Sequence, residues 1–278
     1  ELAATLLALM AREGIASAQP ERWLGAGGTP TTDEEFQGEV RLSPSQFERA
    51  LACPLYWFLS TIGADGPSNA AASLGTLVHA LAEENPHGSA QELTEALEAR
   101  IEELGYNLDT WAGRHSERRA HAIVDNLASY IVGVPGRVDV EQMVEAQVEG
   151  VTIRGRMDRM EHVDEGVRVT DLKTGKSGYS AKTVPDNPQL AAYQMALLAL
   201  GQKVAGARIA LLGDKKPKTF DQKPLEGETL EEWRGKVREV AAIARGPYFQ
   251  ATPSEDACRY CSFDRLCPAR ERGRKVVE

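Results

Sequence analysis

Two carboxylates and a lysine arrive on what read as adjacent extended segments. The run Ile153-Arg-Gly-Arg-Met-Asp158-Arg-Met-Glu leads to a turn at Asp164-Glu165-Gly166 and then to Val167-Arg-Val-Thr-Asp171-Leu172-Lys173. Both runs alternate apolar and polar residues, the pattern of half-buried strands, and the Gly-containing connection predicts a hairpin. Asp158 and Asp171 are then expected to meet at one edge of a sheet. Close carboxylates repel each other and suit a hard divalent cation, and Lys173 shares a face with Asp171 because strand side chains alternate. A metal, a water and a phosphate fit this layout, the chemistry of metal-dependent phosphodiester hydrolysis. Taken alone, however, an Asp-x-Lys triplet after a turn is an ordinary solvated strand.

Other segments add to it. In Gly75-Thr-Leu-Val-His79-Ala-Leu-Ala-Glu83 helical spacing puts His79 and Glu83 on one face, and imidazole is a good ligand for a metal already held by carboxylates. Downstream, Asn187-Pro188-Gln189-Leu-Ala-Ala-Tyr193 opens a helix with proline at its start, and a glycine, Gly201, closes it. Gln189 and Tyr193, four apart, share a face near its N-terminus.

The motifs Gly75-x-x-x-His79, Gly155-x-x-Asp158-Arg159, Asp171-Leu172-Lys173-Thr174-Gly175 and Gln189-x-x-x-Tyr193 follow in that order. With them the chain resembles the RecB-type branch of the PD-(D/E)XK nuclease superfamily, over roughly residues 42–268. Met157 stands where the superfamily's name has proline, as RecB-type members commonly allow. The resemblance implies an α/β fold with a restriction-endonuclease-like core, a mixed sheet in the order αβββαβ. It also implies Mg²⁺ or Mn²⁺ on His79, Asp158, Asp171 and the main-chain carbonyl of Leu172. Lys173 would orient or help deprotonate the attacking water and stabilise developing charge. Gln189 and Tyr193 would position the lysine or the phosphate, and Glu83 would be an alternative or supporting ligand.

The cysteines form a second constellation. Cys258, Cys261 and Cys267 cluster near the C-terminus, and Cys53 stands far upstream before Pro54. Four thiolates suit tetrahedral zinc or an iron–sulfur cluster, and disulfides are the remaining use. No secretory signal marks an oxidising compartment, which favours metal ligation. The one-plus-three spacing resembles the iron–sulfur staple of AddB-type helicase–nucleases and CRISPR-adaptation nucleases, which implies a 4Fe-4S cluster, with zinc as the runner-up. Such a staple would tie the segment before the nuclease core to the segment after it.

Several elements must position these groups. Ser43-Pro44-Ser45-Gln46 predicts a helix start with a capping box, and the helix runs to Cys53-Pro54 and the aromatic residues Tyr56-Trp57-Phe58, expected to pack around the cysteines. From Ser89, with Glu92 completing another capping box, to about Gly133 the pattern is helical in two pieces separated near Gly105–Gly113, a helical insertion at about 89–133. Strands are expected at Val138–Val148, Val151–His162, Gly166–Leu172 and Ala205–Leu212, and a last helix from Thr229, capped with Glu232, to Ala244.

The 278 residues, 42% of them hydrophobic, suffice for one elaborated domain at 42–278, with the cysteine cluster at 258–267. Residues 1–41 read as an apolar helix and a Gly/Pro/Thr-rich linker at Gly14–Gly38, as if cut from a longer chain. No apolar run approaches the roughly 20 residues of a membrane span, so the expectation is a soluble, cytoplasmic protein. A net charge of -9 gives no overall footprint for DNA. Local basic groups do occur: Lys173, Lys176 and Lys182 near the site, Lys215, Lys216 and Lys218 after what reads as the last strand, and Arg265, Arg270, Arg272, Arg274 and Lys275 near the cysteines.

The combined expectation is a DNA nuclease module acting on single strands or duplex ends. A helicase motor in the same polypeptide or a partner subunit would feed it during double-strand break processing and recombinational repair. Its alternatives are a stand-alone exonuclease like those of CRISPR adaptation and a decayed nuclease fold that only binds DNA.

Overall fold

A computed structural model describes residues 2–19, 34–64, 74–134, 136–176, 178–259 and 261–270, which fall into two compact units. The centre of the expected linker, residues 20–33, and the basic residues Arg272, Arg274 and Lys275 lie outside the described residues. The smaller unit, Glu1–Gln37 with Arg245–Tyr248, contains helix α1 (Leu2–Arg12), whose Leu6, Leu7 and Leu9 are exposed, and Phe36 donates its backbone N–H to the Arg245 carbonyl at 2.8 Å.

The larger unit is built on a mixed six-stranded sheet of β1 (Val40–Leu42), β2 (Val138–Val148), β3 (Val151–Val163), β4 (Gly166–Lys173), β5 (Val204–Leu211) and β6 (Lys218–Gln222). Alternation predicted β2 to β5 closely. It missed the three-residue β1, too short to show a period, and β6, whose pattern is largely exposed. Lys218 therefore opens a sixth strand instead of following the last one. β2 and β3 form a tight hairpin in which Val148 pairs with Val151 across Glu149-Gly150, both at positive φ, the conformation that suits a two-residue turn to strand twist.

Helices cover both faces. On one face α2 (Pro44–Ala52), α7 (Pro188–Ala199) and α8 (Gly227–Arg245) bury Phe47, Leu190 and Val237 against Val144, Ile153, Val169 and Ile209. On the other, α4 (Leu74–Glu84), α5 (Ala90–Arg100) and α6 (Trp111–Val132) pack Leu81, Leu93 and Leu127 with Leu172, Ala210 and Leu212. Both expected capping boxes form, Ser43 with Gln46 and Ser89 with Glu92. The last long helix starts earlier than expected, at Gly227, so Thr229 lies inside its first turn. No helix of the described residues is long and apolar enough to cross a membrane.

One irregularity shapes the sheet. Ile153 and Met157, four apart, belong to the α7-side core, yet Met160, three further on, packs against the same core. An odd separation means that β3 changes phase once between Met157 and Met160. Directly across the hairpin, Glu141 adopts φ 50°, and it is the one position of β2 between Val138 and Val148 without a ladder partner. Both strands thus flip faces together at Glu141 and Asp158, and the residues beyond keep their register.

Past this flip, Glu161 points to the α6 side as a buried ionic hub. It accepts from the Tyr130 hydroxyl and from Arg168 Nε and Nη2 at 3.0 and 2.8 Å, and lies 3.9 Å from Arg159 Nε. Arg159 is itself fully buried and donates to the Pro86 carbonyl at 3.1 Å. Removing one partner from such a cluster strands the others in a low dielectric. Glu161→Ala should therefore cost about 3–5 kcal/mol, read as a lower urea midpoint with native far-UV dichroism; an unchanged midpoint would remove this hub from the account of stability.

Candidate active site

β3 has two edges. β2 lines one throughout, while the other is shared: β1 pairs with Val151–Ile153 and β4 with Arg159–Val163. Residues 154–158 lie in the gap between them. The site is therefore an opening within the sheet, between β3 and the interior strand β4, and not the sheet edge that the hairpin alone suggested. Two-stranded reasoning could not supply β1 or β5, which flank it.

Asp158 sits where the β3–β4 ladder stops. Its Oδ2 accepts the Leu172 N–H at 2.7 Å, so a side chain takes over the bond that a main-chain carbonyl would make in a continued ladder. Its other oxygen, Oδ1, lies 3.3 Å from His79 Nδ1 on α4. Across the gap Asp171 is 5% exposed; Lys173 Nζ approaches its Oδ2 at 2.7 Å and Gln189 Nε2 donates to its Oδ1 at 2.9 Å. Gln189 is placed by the start of α7, where Asn187 caps the helix by accepting the Leu190 N–H at 2.8 Å.

Tyr193, one turn further along α7, stands behind this row. Its hydroxyl donates to the Arg156 carbonyl at 2.6 Å, satisfying a backbone acceptor in the gap of β3. Gly155 permits the approach: a Cβ there would stand 2.6 Å from Pro44 Cδ and 3.1 Å from Tyr193 Cε1. The first glycine of the Gly-x-x-Asp motif thus serves close packing, and Tyr193 anchors α7 to β3.

The electrostatics follow from burial and like charge. Asp171 is pushed up to about 6, first by burial and further by the Asp158 carboxylate, against the opposing pull of Lys173. Burial lowers Lys173, yet the Asp171 carboxylate leads the groups that together outweigh it, and the ammonium ends up raised. His79 is raised, chiefly by its hydrogen bond to Asp158. At neutral pH the lysine is a fixed cation.

Two residues escaped the sequence reading. Glu141, brought round by its left-handed backbone, joins His79 and Asp158: one ligand atom from each lies within 4.8 Å of the others, a mixed nitrogen and oxygen set fit for a divalent cation. Hairpin register had the signal, since counting back from Glu149-Gly150 sets Glu141 opposite Asp158. Glu83, proposed from helical spacing, is exposed and outside this trio, although its charge acts on Glu141. Glu48 of α2 is the second. Burial raises its pKa, it accepts from Asn187 Nδ2 at 3.2 Å, and the Lys173 charge acts on it.

The four cysteines are unbridged, and all four line one small cavity with Tyr56 and Phe263, whose rings meet edge to face at 5.7 Å. Burial pushes the Cys261 thiol up, against the Phe263 N–H and with a smaller push from the neighbouring Cys53, Cys258 and Cys267, and Cys53 Sγ accepts the Thr252 N–H at 3.4 Å. On α3 (Pro54–Thr61) Trp57 and Phe58 pack against Phe249 and build core, so of the aromatic run expected around the cysteines Tyr56 alone lines their cavity.

Comparison with known proteins agrees with this architecture. The chain is 26% identical over 265 residues to the Gene 69 protein of Mycobacterium phage D29, covering 81% of this chain and 96% of that protein. A crystal structure from Eubacterium rectale, provisionally named an exonuclease, shares the fold with a TM-score of 0.50 at 13% identity, covering 90% of this chain and 96% of that one. Residues 41–268 match the family model of the PD-(D/E)XK nuclease superfamily, a span that takes in the gap in β3, the strand pair and α7. With that match over most of its length, the chain belongs to the PD-(D/E)XK nuclease superfamily.

Proposed function

We propose that this domain is a Mg²⁺- or Mn²⁺-dependent deoxyribonuclease and the nuclease module of a helicase–nuclease that processes double-strand breaks for recombinational repair, resembling AddAB, AdnAB and RecBCD. The observation that carries the reading is the convergence of His79, Asp158, Asp171, Lys173 and Gln189 from two helices and two strands on one opening in the sheet.

His79, Asp158 and Asp171, with Glu141 and the Leu172 carbonyl, would hold the cation. A bound divalent ion polarises the phosphoryl oxygen and lowers the pKa of a coordinated water, each able to lower the barrier by several kcal/mol. The chain's own groups prepare that chemistry. Leu172 N–H fixes one oxygen of Asp158, leaving the other free toward His79. Gln189 fixes one oxygen of Asp171, leaving the other toward Lys173. Lys173, kept protonated by Asp171, orients the water and neutralises charge on the phosphoryl oxygens; it is not the base. Tyr193 acts indirectly, by holding α7 against β3 so that Gln189 reaches Asp171.

The one cavity shared by Cys53, Cys258, Cys261 and Cys267 supports a Cys₄ staple, read as a 4Fe-4S cluster, closing the domain across the whole nuclease core. Unbridged thiols and a DNA substrate fit a cytoplasmic location. On this reading residues 1–41 are a helix and linker, 42–278 are the nuclease domain, and α5 and α6 are its insertion. The stand-alone exonuclease is the competing reading, favoured by the provisional name of the Eubacterium rectale neighbour.

Asp171→Asn and Lys173→Ala should each lower Mn²⁺-dependent cleavage of a labelled oligonucleotide by two to three orders of magnitude or more, about the loss seen when one transition-state contact is removed. Circular dichroism should stay native; cleavage at the wild-type rate by either variant would refute the assignment.

The raised Asp171 and His79 make metal affinity pH-dependent. Both must shed a proton before ligating, so Mn²⁺ affinity measured by calorimetry should rise steeply up to about pH 6, the value to which Asp171 is pushed, and level off once both groups are deprotonated. Asp171→Asn should flatten that rise; an affinity independent of pH between 5 and 7 would contradict the ligand set.

Anaerobically purified protein should be brown and hold about four iron atoms per chain, as a Cys₄ cubane requires. Cys53→Ser should be as damaging to cluster content and thermal stability as Cys261→Ser, since either opens the staple. Stoichiometric zinc without iron would give the site to zinc.

A further inference from the structure

A second concavity lies beside the site, unclaimed by the hydrolytic machinery. It has a volume of about 450 Å³ and is walled by α6, by Lys176 after β4 and by Gly213–Lys215 after β5. Its polar lining is His115, the cations Arg118, Arg119, Lys176 and Lys215, and one carboxylate, Asp214. That carboxylate is already engaged, paired with Lys218 Nζ at 2.5 Å and accepting the Lys215 N–H at 2.7 Å. Among the described residues Arg118, Arg119, Lys176 and Lys215 form no ion pair, and all four side chains are exposed. In a chain of net charge -9, four unneutralised cations around one cavity are a local exception.

Its place relative to the site is fixed by the backbone. Gly213 packs so closely that a Cβ there would stand 2.1 Å from the Gly175 carbonyl, and Arg119 Nη2 donates to the Thr174 carbonyl at 3.4 Å. The cavity floor is therefore the direct continuation of β4 beyond Lys173. Lys176 is three positions beyond Lys173, a reach of at most about 11 Å of extended chain. At the outer wall, Trp111 is 70% exposed and its ring stacks on His115 at 5.2 Å and 8°. A surface tryptophan held flat by its neighbour is a ready platform for a base.

We propose that this cavity binds the backbone phosphates of single-stranded DNA adjoining the scissile phosphate, with Trp111 stacking a base at its rim. The proposal rests on the deoxyribonuclease reading for the identity of the polyanion. It gives the helical insertion a role, since α6 supplies Arg118 and Arg119 as half of a clamp whose other half is the pair of loops leaving β4 and β5. It also explains how an acidic domain holds a polyanion, by concentrating cations along the path to Lys173.

The test separates strand binding from chemistry. The triple variant Arg118→Ala/Lys176→Ala/Lys215→Ala, altered only at exposed positions, is compared with the unaltered chain in two assays. Anisotropy with a labelled single-stranded 20-mer in EDTA, repeated over a range of salt, should show at least tenfold weaker binding at low salt. Its log–log salt slope should be shallower by about 2, since each lost single-strand phosphate contact removes about 0.7. Trp111→Ala should weaken binding about tenfold, in the range of one lost stacking contact, with the slope unchanged. Mn²⁺-dependent hydrolysis of bis(4-nitrophenyl) phosphate, too small to span the cavity, should proceed at the unaltered rate in all variants. An unchanged salt slope in the triple variant would overturn the proposal, as would a parallel loss on the small diester, which would assign these residues to the chemistry. If the unaltered protein cleaves neither substrate, the nuclease reading falls, and the salt series still decides the cavity.

Discussion

Asp158 and Asp171 are held on neighbouring strands at the point where main-chain pairing between those strands ends, and the site is an answer to their mutual repulsion. Continued by one more pair, the β3–β4 ladder would set the two carboxylates directly opposite each other on one face. The phase change of β3 between Met157 and Met160 turns Asp158 sideways into the gap, where it takes the Leu172 N–H. That bond is possible because β4 has lost its partner at that level, and β4 loses its partner because β1 and β4 divide one edge of β3 between them. The left-handed Glu141, opposite, is the conformational cost of letting β2 turn with β3 and keep register.

Burial makes this arrangement expensive without a cation. Asp171 titrates near 6 and its partners are arranged to contain its charge, Lys173 on one oxygen and Gln189 on the other. The helices that deliver these partners are fixed from behind by bonds of a different kind: Asn187 caps α7, Tyr193 ties α7 to the open carbonyl of Arg156, and Gly155 leaves room for both Tyr193 and Pro44. On the opposite layer, the Glu161 hub joins α6 to β3 and β4 just beyond the flip. Asn187, Tyr193 and Glu161 behind the site all find partners in the protein, although buried Arg159 Nε and Nη1 do not, whereas Asp171 Oδ2, facing the gap, has only the approach of Lys173. That asymmetry is what a cation and a phosphate would complete.

Local pattern carried much of this. Alternation placed β2 to β5, capping boxes placed the starts of α2 and α5, and proline after Asn187 placed α7, since each depends on residues a few positions apart. His79, Asp158, Asp171, Lys173 and Gln189 were legible because their spacing along strands and helices is itself the motif. What escaped depends on distant chain. β1 is too short for a period, and its pairing partner is more than a hundred residues away. The phase change at Asp158 is invisible to alternation, because a run with one slipped residue still reads as a strand. Glu141 and Glu48 look like solvated positions of their own elements, and only the meeting of β2 with β3 and of α2 with α7 brings them in.

Charge is the last property that the whole-chain sum conceals. A net charge of -9 argues against long-range attraction for a polyanion, yet attraction at contact depends on the groups within about a Debye length of the phosphate, roughly 8 Å at physiological salt. Around the concavity beyond β4's end the balance is reversed: Lys173 is a half-buried cation at that end, and Arg118, Arg119, Lys176 and Lys215 surround the cavity against one carboxylate, Asp214. The acidic excess is distributed elsewhere, on exposed helix faces such as α5, where Glu92, Glu95 and Glu98 face solvent. On the proposed reading, such a surface would disfavour indiscriminate adsorption along duplex DNA while leaving a cationic path, so that a strand already threaded to the site would be held and a duplex passing by would not. Selectivity of this kind would come from where the cations are and from what surrounds them, and not from the domain's overall field.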